Sequence, residues 1–253
     1  MKIKNIILGM LSFSIIALSS CEKTFDQLEK DSNRAVQVPA SLVLQSIELN
    51  VINDNGRPFS AEMRYNQYYC SNYNYYANNE YNLGQMPNQY TTLKNVVKME
   101  EEAKKLGLAD VNGYSALGKF FRAYFFDQMS KRVGDLPMTE ALKGIENTAP
   151  KYDSQKVIYT QILKWLDDAN SDMTALAAKG ETISGDFYFN GDLKKWQKVV
   201  NAYRLRVLIT LSKKDTDAEL GVKAKFAEMI GNPTKYPMLS SNGESLQFVW
   251  NNF

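Results

Sequence analysis

From Thr91 to Gly231, apolar residues recur every three or four positions in successive blocks, and this period leaves few choices of fold. Such spacing gathers the apolar positions on one side of an α-helix, which must then be covered by another element. Thr91 to Leu106 carries Leu93, Val96, Val97, Met99, Ala103 and Leu106 ahead of Gly107, which sits where a helix commonly ends. A second block begins after Asp110 and runs through Tyr114, Leu117, Phe120, Phe121, Tyr124, Phe125 and Met129 as one wide apolar face. A third starts at Asp153, expected as its N-cap, and carries Ile158, Ile162, Trp165, Ala169, Met173 and Leu176 before Gly180. Asp192 opens a fourth through Trp196, Val199, Val200, Tyr203, Val207 and Leu211. Thr216 and Glu219 have capping-box spacing for a fifth, which uses Val222, Phe226, Met229 and Ile230 and is stopped by Gly231 and Pro233. A short helix over Ala40–Ile52, with Leu42, Val43, Ile47, Leu49 and Val51, and another starting near Ser60 precede these. The expected fold is mainly all-α: irregular helix pairs resembling tetratricopeptide-type helical repeats, with long loops. No 34-residue repeat accompanies the likeness, which is therefore one of geometry.

The first residues carry a different pattern. Lys2 and Lys4 precede an apolar run from Ile6 to Leu18, and Ser19 and Ser20 lead into Cys21, the layout of a signal peptide. The run is too short to cross a hydrocarbon core of roughly 30 Å as a helix, so residues 1–20 are expected to be removed. Leu18-Ser19-Ser20-Cys21 resembles the lipobox of bacterial lipoproteins, in which the cysteine thiol receives a diacylglycerol. Each buried methylene of such a lipid contributes about 0.8 kcal/mol, enough for two or three chains to make a lasting membrane anchor. Residues 21–39 are polar and suit a tether reaching to Pro39, with the helical domain expected over 40–253.

Composition removes whole classes of function. There are 30 Lys plus Arg against 28 Asp plus Glu, and loss of Lys2 and Lys4 with the leader leaves 28 of each. A balanced charge without basic clusters does not suit nucleic acid as a partner. The sequence has no histidine, which excludes Ser-His-Asp and Cys-His nucleophile pairs and His-rich zinc sites. No GxGxxG or GxxxxGK[ST] loop is present, and Asn53-Asp54-Asn55-Gly56 lacks the carboxylates of a calcium loop and reads as a turn. No cofactor, metal or catalytic residue is expected. With Cys21 acylated, Cys70 has no disulfide partner and reads as a small buried apolar residue.

One stretch departs from the helical period. From Asn72 to Asn88 the chain is rich in Asn and Tyr; long loops in compact domains are usually functional or disordered, and the density of tyrosines speaks against disorder. Tyr73, Asn74, Tyr75, Tyr76, Asn78, Asn79 and Tyr81 are the candidate ligand-binding residues: a tyrosine ring can take the C–H face of a sugar, and an Asn amide offers both donor and acceptor. The plainer reading is that these rings pack the loop down or meet a protein partner. Trp165 and Trp196 lie inside apolar stripes and read as core, Arg122, Arg204 and Arg206 as members of structural ion pairs, and Gly134–Pro137 as a structural corner.

Three blocks stand out: ALGKFFRAYFFDQMSKRVGDLP, from Ala116 to Pro137, which ends in the turn Gly134-Asp135-Leu136-Pro137; VIYTQILKWLDDANSDMTAL (Val157–Leu176); and GDLKKWQKVVNAYRLRVLITLS (Gly191–Ser212). In order and spacing they resemble the SusD/RagB family of nutrient-binding outer-membrane lipoproteins, and the first is similar to that family's helix and Gly-Asp-x-Pro turn. The resemblance implies a lipid-anchored protein on the outer face of the outer membrane, without catalytic activity. It would bind an oligosaccharide, or in some members a peptide, and act with a SusC-like TonB-dependent transporter. It also implies a chain about twice this length, so the helical domain is expected to be an N-terminal portion, incomplete at its C-terminus. The reading from another class is a helical-repeat scaffold for protein partners with no small ligand.

Overall fold

The computed structural model describes residues 38–54 and 88–248, and among these six α-helices follow one another. They are α1 (Ala40–Asp54), α2 (Tyr90–Lys105), α3 (Gly113–Val133), α4 (Gln155–Ala178), α5 (Leu193–Thr210) and α6 (Val222–Gly231). The described residues form no strand, only an isolated two-residue bridge, so the all-α expectation holds. The expected helix near Ser60 lies outside the described residues. Helices consecutive in sequence pack on one another: α1 on α2, α2 on α3, α3 on α4 and α4 on α5.

The core is organised by α3. Its Phe120, Phe121, Tyr124, Phe125 and Phe126 are all buried, as are Ala116, Leu117, Ala123 and Met129. A helix apolar on nearly every side has to lie in the interior rather than against it, so the wide face read from the sequence is in fact most of the circumference. Trp196 of α5, fully buried, meets the rings of Phe120 at 5.6 Å, Phe121 at 5.9 Å and Phe189 at 5.4 Å. Trp165, by contrast, is only half-buried at the rim, stacked on Phe126 at 5.8 Å, and Leu163 and Leu166 occupy the inner side of α4. On α1, Leu44, Ile47 and Val51 are buried whereas Leu42 and Leu49 face outward.

Two buried carboxyl groups gather partners from several elements. Asp127 of α3, with no exposed surface, accepts the hydroxyls of Tyr159 (2.9 Å) and Tyr203 (2.5 Å) and pairs with Lys131 (2.7 Å). One carboxylate thus ties α3 to α4 and α5, and the three donors offset the cost of burying its charge. Burial, with Asp127 beside it, pushes the Tyr203 hydroxyl well above the ordinary tyrosine range, so it remains a donor. A second buried carboxyl, Glu48 of α1, accepts the Phe187 amide at 3.1 Å and lies within hydrogen-bonding reach of Asp186. Asp186 collects the amides of Tyr188, Phe189 and Gly191 and the Trp196 indole N–H. Gly185 lets this loop approach α1: it has a φ of 91°, and any Cβ there would strike the Ser41 backbone.

Helix ends show where local reading and tertiary structure part. Gly107 and Gly180 end α2 and α4 with φ of 77° and 74°, and Asp192 caps α5 through the Lys194 and Lys195 amides, all as expected. Asp153 is not the cap of α4. Its backbone pairs with Leu136 (3.1 and 3.3 Å) and its carboxylate takes the Met138 and Thr139 amides, which leaves the cap to Ser154. Thr216 is not a cap either, because Asp217 captures the Glu219 and Leu220 amides and a turn delays α6 to Val222. The resulting ten-residue helix buries Val222 and Met229 and leaves Phe226 and Ile230 exposed.

Candidate functional site

Among the described residues, a cleft of about 430 Å³ opens between the start of α2, the end of α3 and the Gly134–Pro137 corner. Asn88, Tyr90, Arg132, Asp135, Leu136, Pro137 and Tyr152 contribute to its lining. Each is held for a local reason. Asn88 accepts the Tyr90 amide at 3.0 Å, the short turn from which α2 begins. Tyr90 sets its ring edge-on to Phe126 (6.2 Å, 82°) and donates its hydroxyl to the Pro137 carbonyl at 2.5 Å, so one side chain pins α2 to the corner. Burial, then the neighbouring Tyr152 and Asp153, push that hydroxyl up to about 12. It therefore donates throughout the physiological range.

The corner is braced on its other side. Ser130 accepts the Gly134 amide through its carbonyl at 2.9 Å and donates its hydroxyl to the Gly134 carbonyl at 2.9 Å. Asp135 accepts the first amide of α4, that of Gln155, at 2.8 Å, while the Gln155 side chain donates to the Ser130 carbonyl at 3.0 Å. Burial raises Asp153, but the Thr139 and Met138 amides and the Thr139 hydroxyl outweigh it and hold the carboxyl below its usual range. The floor of the cleft is thus rigid. Tyr152 stands at its edge with 74% of its surface exposed. A concave site with aromatic surface and a few fixed polar groups is the form in which proteins hold small polar ligands, and an exposed tyrosine ring contributes contact area at low entropic cost.

Cys21 and the residues singled out for ligand binding, Tyr73, Asn74, Tyr75, Tyr76, Asn78, Asn79 and Tyr81, lie outside the described residues, as does Cys70. The structure brings together instead Tyr90, Tyr152, Arg132 and Asp135, which the sequence reading did not select. Asn88, where the Asn- and Tyr-rich stretch ends, is the signal that could have led there. Two of the three arginines fall as expected for structural pairs. Arg122 makes a two-pronged contact with Glu100 (2.6 Å each), and Gly118 leaves the space for it. Arg204 is buried over the Tyr236 ring (5.2 Å) and is 2.7 Å from Asp167, an ion pair without hydrogen-bond alignment. Arg206 departs from that expectation: it lies over Tyr203 at 5.7 Å and has no ion pair among the described residues.

Consecutive α-helices packed on one another thus carry a braced, partly aromatic cleft. Residues 32–253 match the SusD-like_2 family, starch-binding associating with outer membrane, and the chain belongs to this SusD-like family. Solved structures agree. An outer-membrane protein of Bacteroides vulgatus, provisionally assigned to nutrient binding, is similar with a TM-score of 0.69 and 29% identity, over 85% of this chain and 45% of that one. A SusD homolog of Bacteroides fragilis gives a TM-score of 0.67 and 30% identity, covering 83% of this chain and 44% of its own. A chitin-binding protein gives 0.50 and 30% identity over 62% of this chain and 31% of its own. The chain thus spans less than half the length of these relatives. No curated protein matches it.

Proposed function

We propose that the protein is a non-enzymatic receptor for a nutrient glycan at the cell surface, anchored to the outer membrane through lipid on Cys21 and working with a SusC-like TonB-dependent transporter. In this reading residues 1–20 are the signal peptide, 21–39 the tether and 40–253 the binding domain. The observation that carries it is the braced cleft between Tyr90 and Tyr152, in a member of a starch-binding outer-membrane family and beside a similar chitin-binding protein. The Asn- and Tyr-rich segment around Tyr73–Tyr81 would add its own rings and amides to the ligand, continuing the chemistry that Asn88 and Tyr90 begin.

The test is calorimetry on the full-length chain with starch- and chitin-derived oligosaccharides and a set of peptides. At least one glycan is expected to bind, and Tyr152→Ala is expected to weaken it about tenfold, roughly 1.4 kcal/mol, with no change in thermal midpoint. Peptide binding without glycan binding would favour the peptide-binding alternative. Absence of binding to the whole panel would refute the receptor reading.

A further inference from the structure

The loop before α5 runs along two turns of α1, with Gly185 against the Ser41 backbone and the Phe187 amide on Glu48 Oε2. This loop is fixed independently of α1. Asp186 accepts the amides of Tyr188, Phe189 and Gly191 and the Trp196 indole N–H, and Tyr114 of α3 donates its hydroxyl to the Ser184 carbonyl at 3.1 Å. Asp186 is thus filled as an acceptor and brings negative charge to the side of Glu48. Glu48 is wholly buried there, and its Oε1 has no partner unless it carries a hydrogen. That hydrogen is what lets two carboxyl groups meet in the interior without a cation between them. From the loop the titratable neighbours are Asp186 and Tyr188, and burial, then Glu48 itself, hold the Tyr188 hydroxyl above its ordinary range and neutral. On α2, which packs against α1, the buried charged side chain is Glu102, and Lys98 (3.0 Å) and Lys105 (2.8 Å) neutralise it.

We propose that the proton on Glu48 is a latch for α1: the helix opens from the body as that proton is released, so its attachment weakens as the surroundings turn alkaline and tightens as they acidify. In the opening step the Glu48 O–H bond breaks and the proton passes to solvent, leaving a hydrated carboxylate on the freed helix. Burial, then Asp186, push Glu48 up to about 9 while α1 is seated, against 4.5 once it is free. Across neutral pH each opening therefore releases a proton, and the open population rises about tenfold per pH unit. A helix of 15 residues is marginal in water once detached, so an open α1 unwinds and exposes its amides to exchange.

The experiment follows hydrogen exchange of the full-length chain by mass spectrometry between about pH 6 and about pH 8.5, corrected for the intrinsic exchange rate. With no histidine in the chain, no imidazole titrates in this range to mask Glu48. Protection of the α1 amides from Leu44 to Val51 is expected to fall about tenfold per pH unit and to lie below that of the α4 amides from Ile162 to Leu166. Glu48→Gln, which fills the same space, accepts the Phe187 amide and does not titrate, should remove the dependence. Protection of α1 that does not change with pH in the wild type, or a dependence that survives Glu48→Gln, would overturn the proposal. So would an α1 that exchanges only as slowly as α4, since its amides would then open with the whole domain.

Discussion

Replacing Glu48 with Gln should make the protein more stable at neutral pH, because the native fold holds a proton there that the unfolded chain gives up. Glu48 has no exposed surface, its Oε2 accepts the Phe187 amide at 3.1 Å, and its Oε1 has no partner unless it carries a hydrogen to donate. The groups around it are Asp186 and Tyr188 of the loop before α5, and neither carboxyl has an ion pair among the described residues. Burial first, and the charge of Asp186 second, push Glu48 from 4.5 up to about 9. Between those values the native state binds one proton more than the unfolded state, so this group's stabilisation is complete below 4.5, declines as pH rises and is exhausted on passing about 9. At pH 7 the interval of about 2.5 units, at 1.36 kcal/mol each, corresponds to about 3 kcal/mol. A glutamine keeps the shape, accepts the Phe187 amide, donates to Asp186 and does not titrate. Urea midpoints of the full-length chain at pH 5, 7 and 8.5 should show the variant gaining on the wild type at each step, by about 1 to 3 kcal/mol at neutral pH. Parallel curves for the two proteins across that range would refute the reasoning.

The two tryptophans of the apolar stripes should separate. Trp196→Ala, which empties the centre of the aromatic cluster, is expected to cost about 3 to 5 kcal/mol in denaturant unfolding, and Trp165→Ala at the rim about half of that or less; similar losses would contradict the packing described here. In membrane fractionation, the wild-type chain should follow the outer membrane and co-purify with a TonB-dependent transporter. Cys21→Ser should leave the precursor unprocessed or release the protein, and an unchanged distribution would rule out the lipid anchor.

Among the described residues the sequence alone determined the helices and their order, because a 3.6-residue period is a property of each segment taken by itself. It also located those ends whose signal is local: Gly107 and Gly180 can take positive φ without the steric cost of a Cβ, and Asp192 needs only the amides two and three residues on. The cap at Asp153 was misplaced because its competing partner, Leu136, is set by how the chain folds back on itself, and the cap at Thr216 because its neighbour Asp217 takes the local amides of Glu219 and Leu220 instead. Family membership was likewise legible, since the three blocks lie on helices and the corner that survive as written. What only tertiary structure decided is which polar groups go inside and which surfaces meet. Glu48 and Asp186 are 138 positions apart and Tyr90 and Pro137 are 47, so neither the buried carboxyl contact nor the cleft leaves a local pattern. Trp165 and Trp196 look alike in their stripes, yet one is half-exposed and the other fully enclosed. The hydrophobic period tells each helix which side to bury, but the depth of any position depends on what the neighbouring helices bring against it.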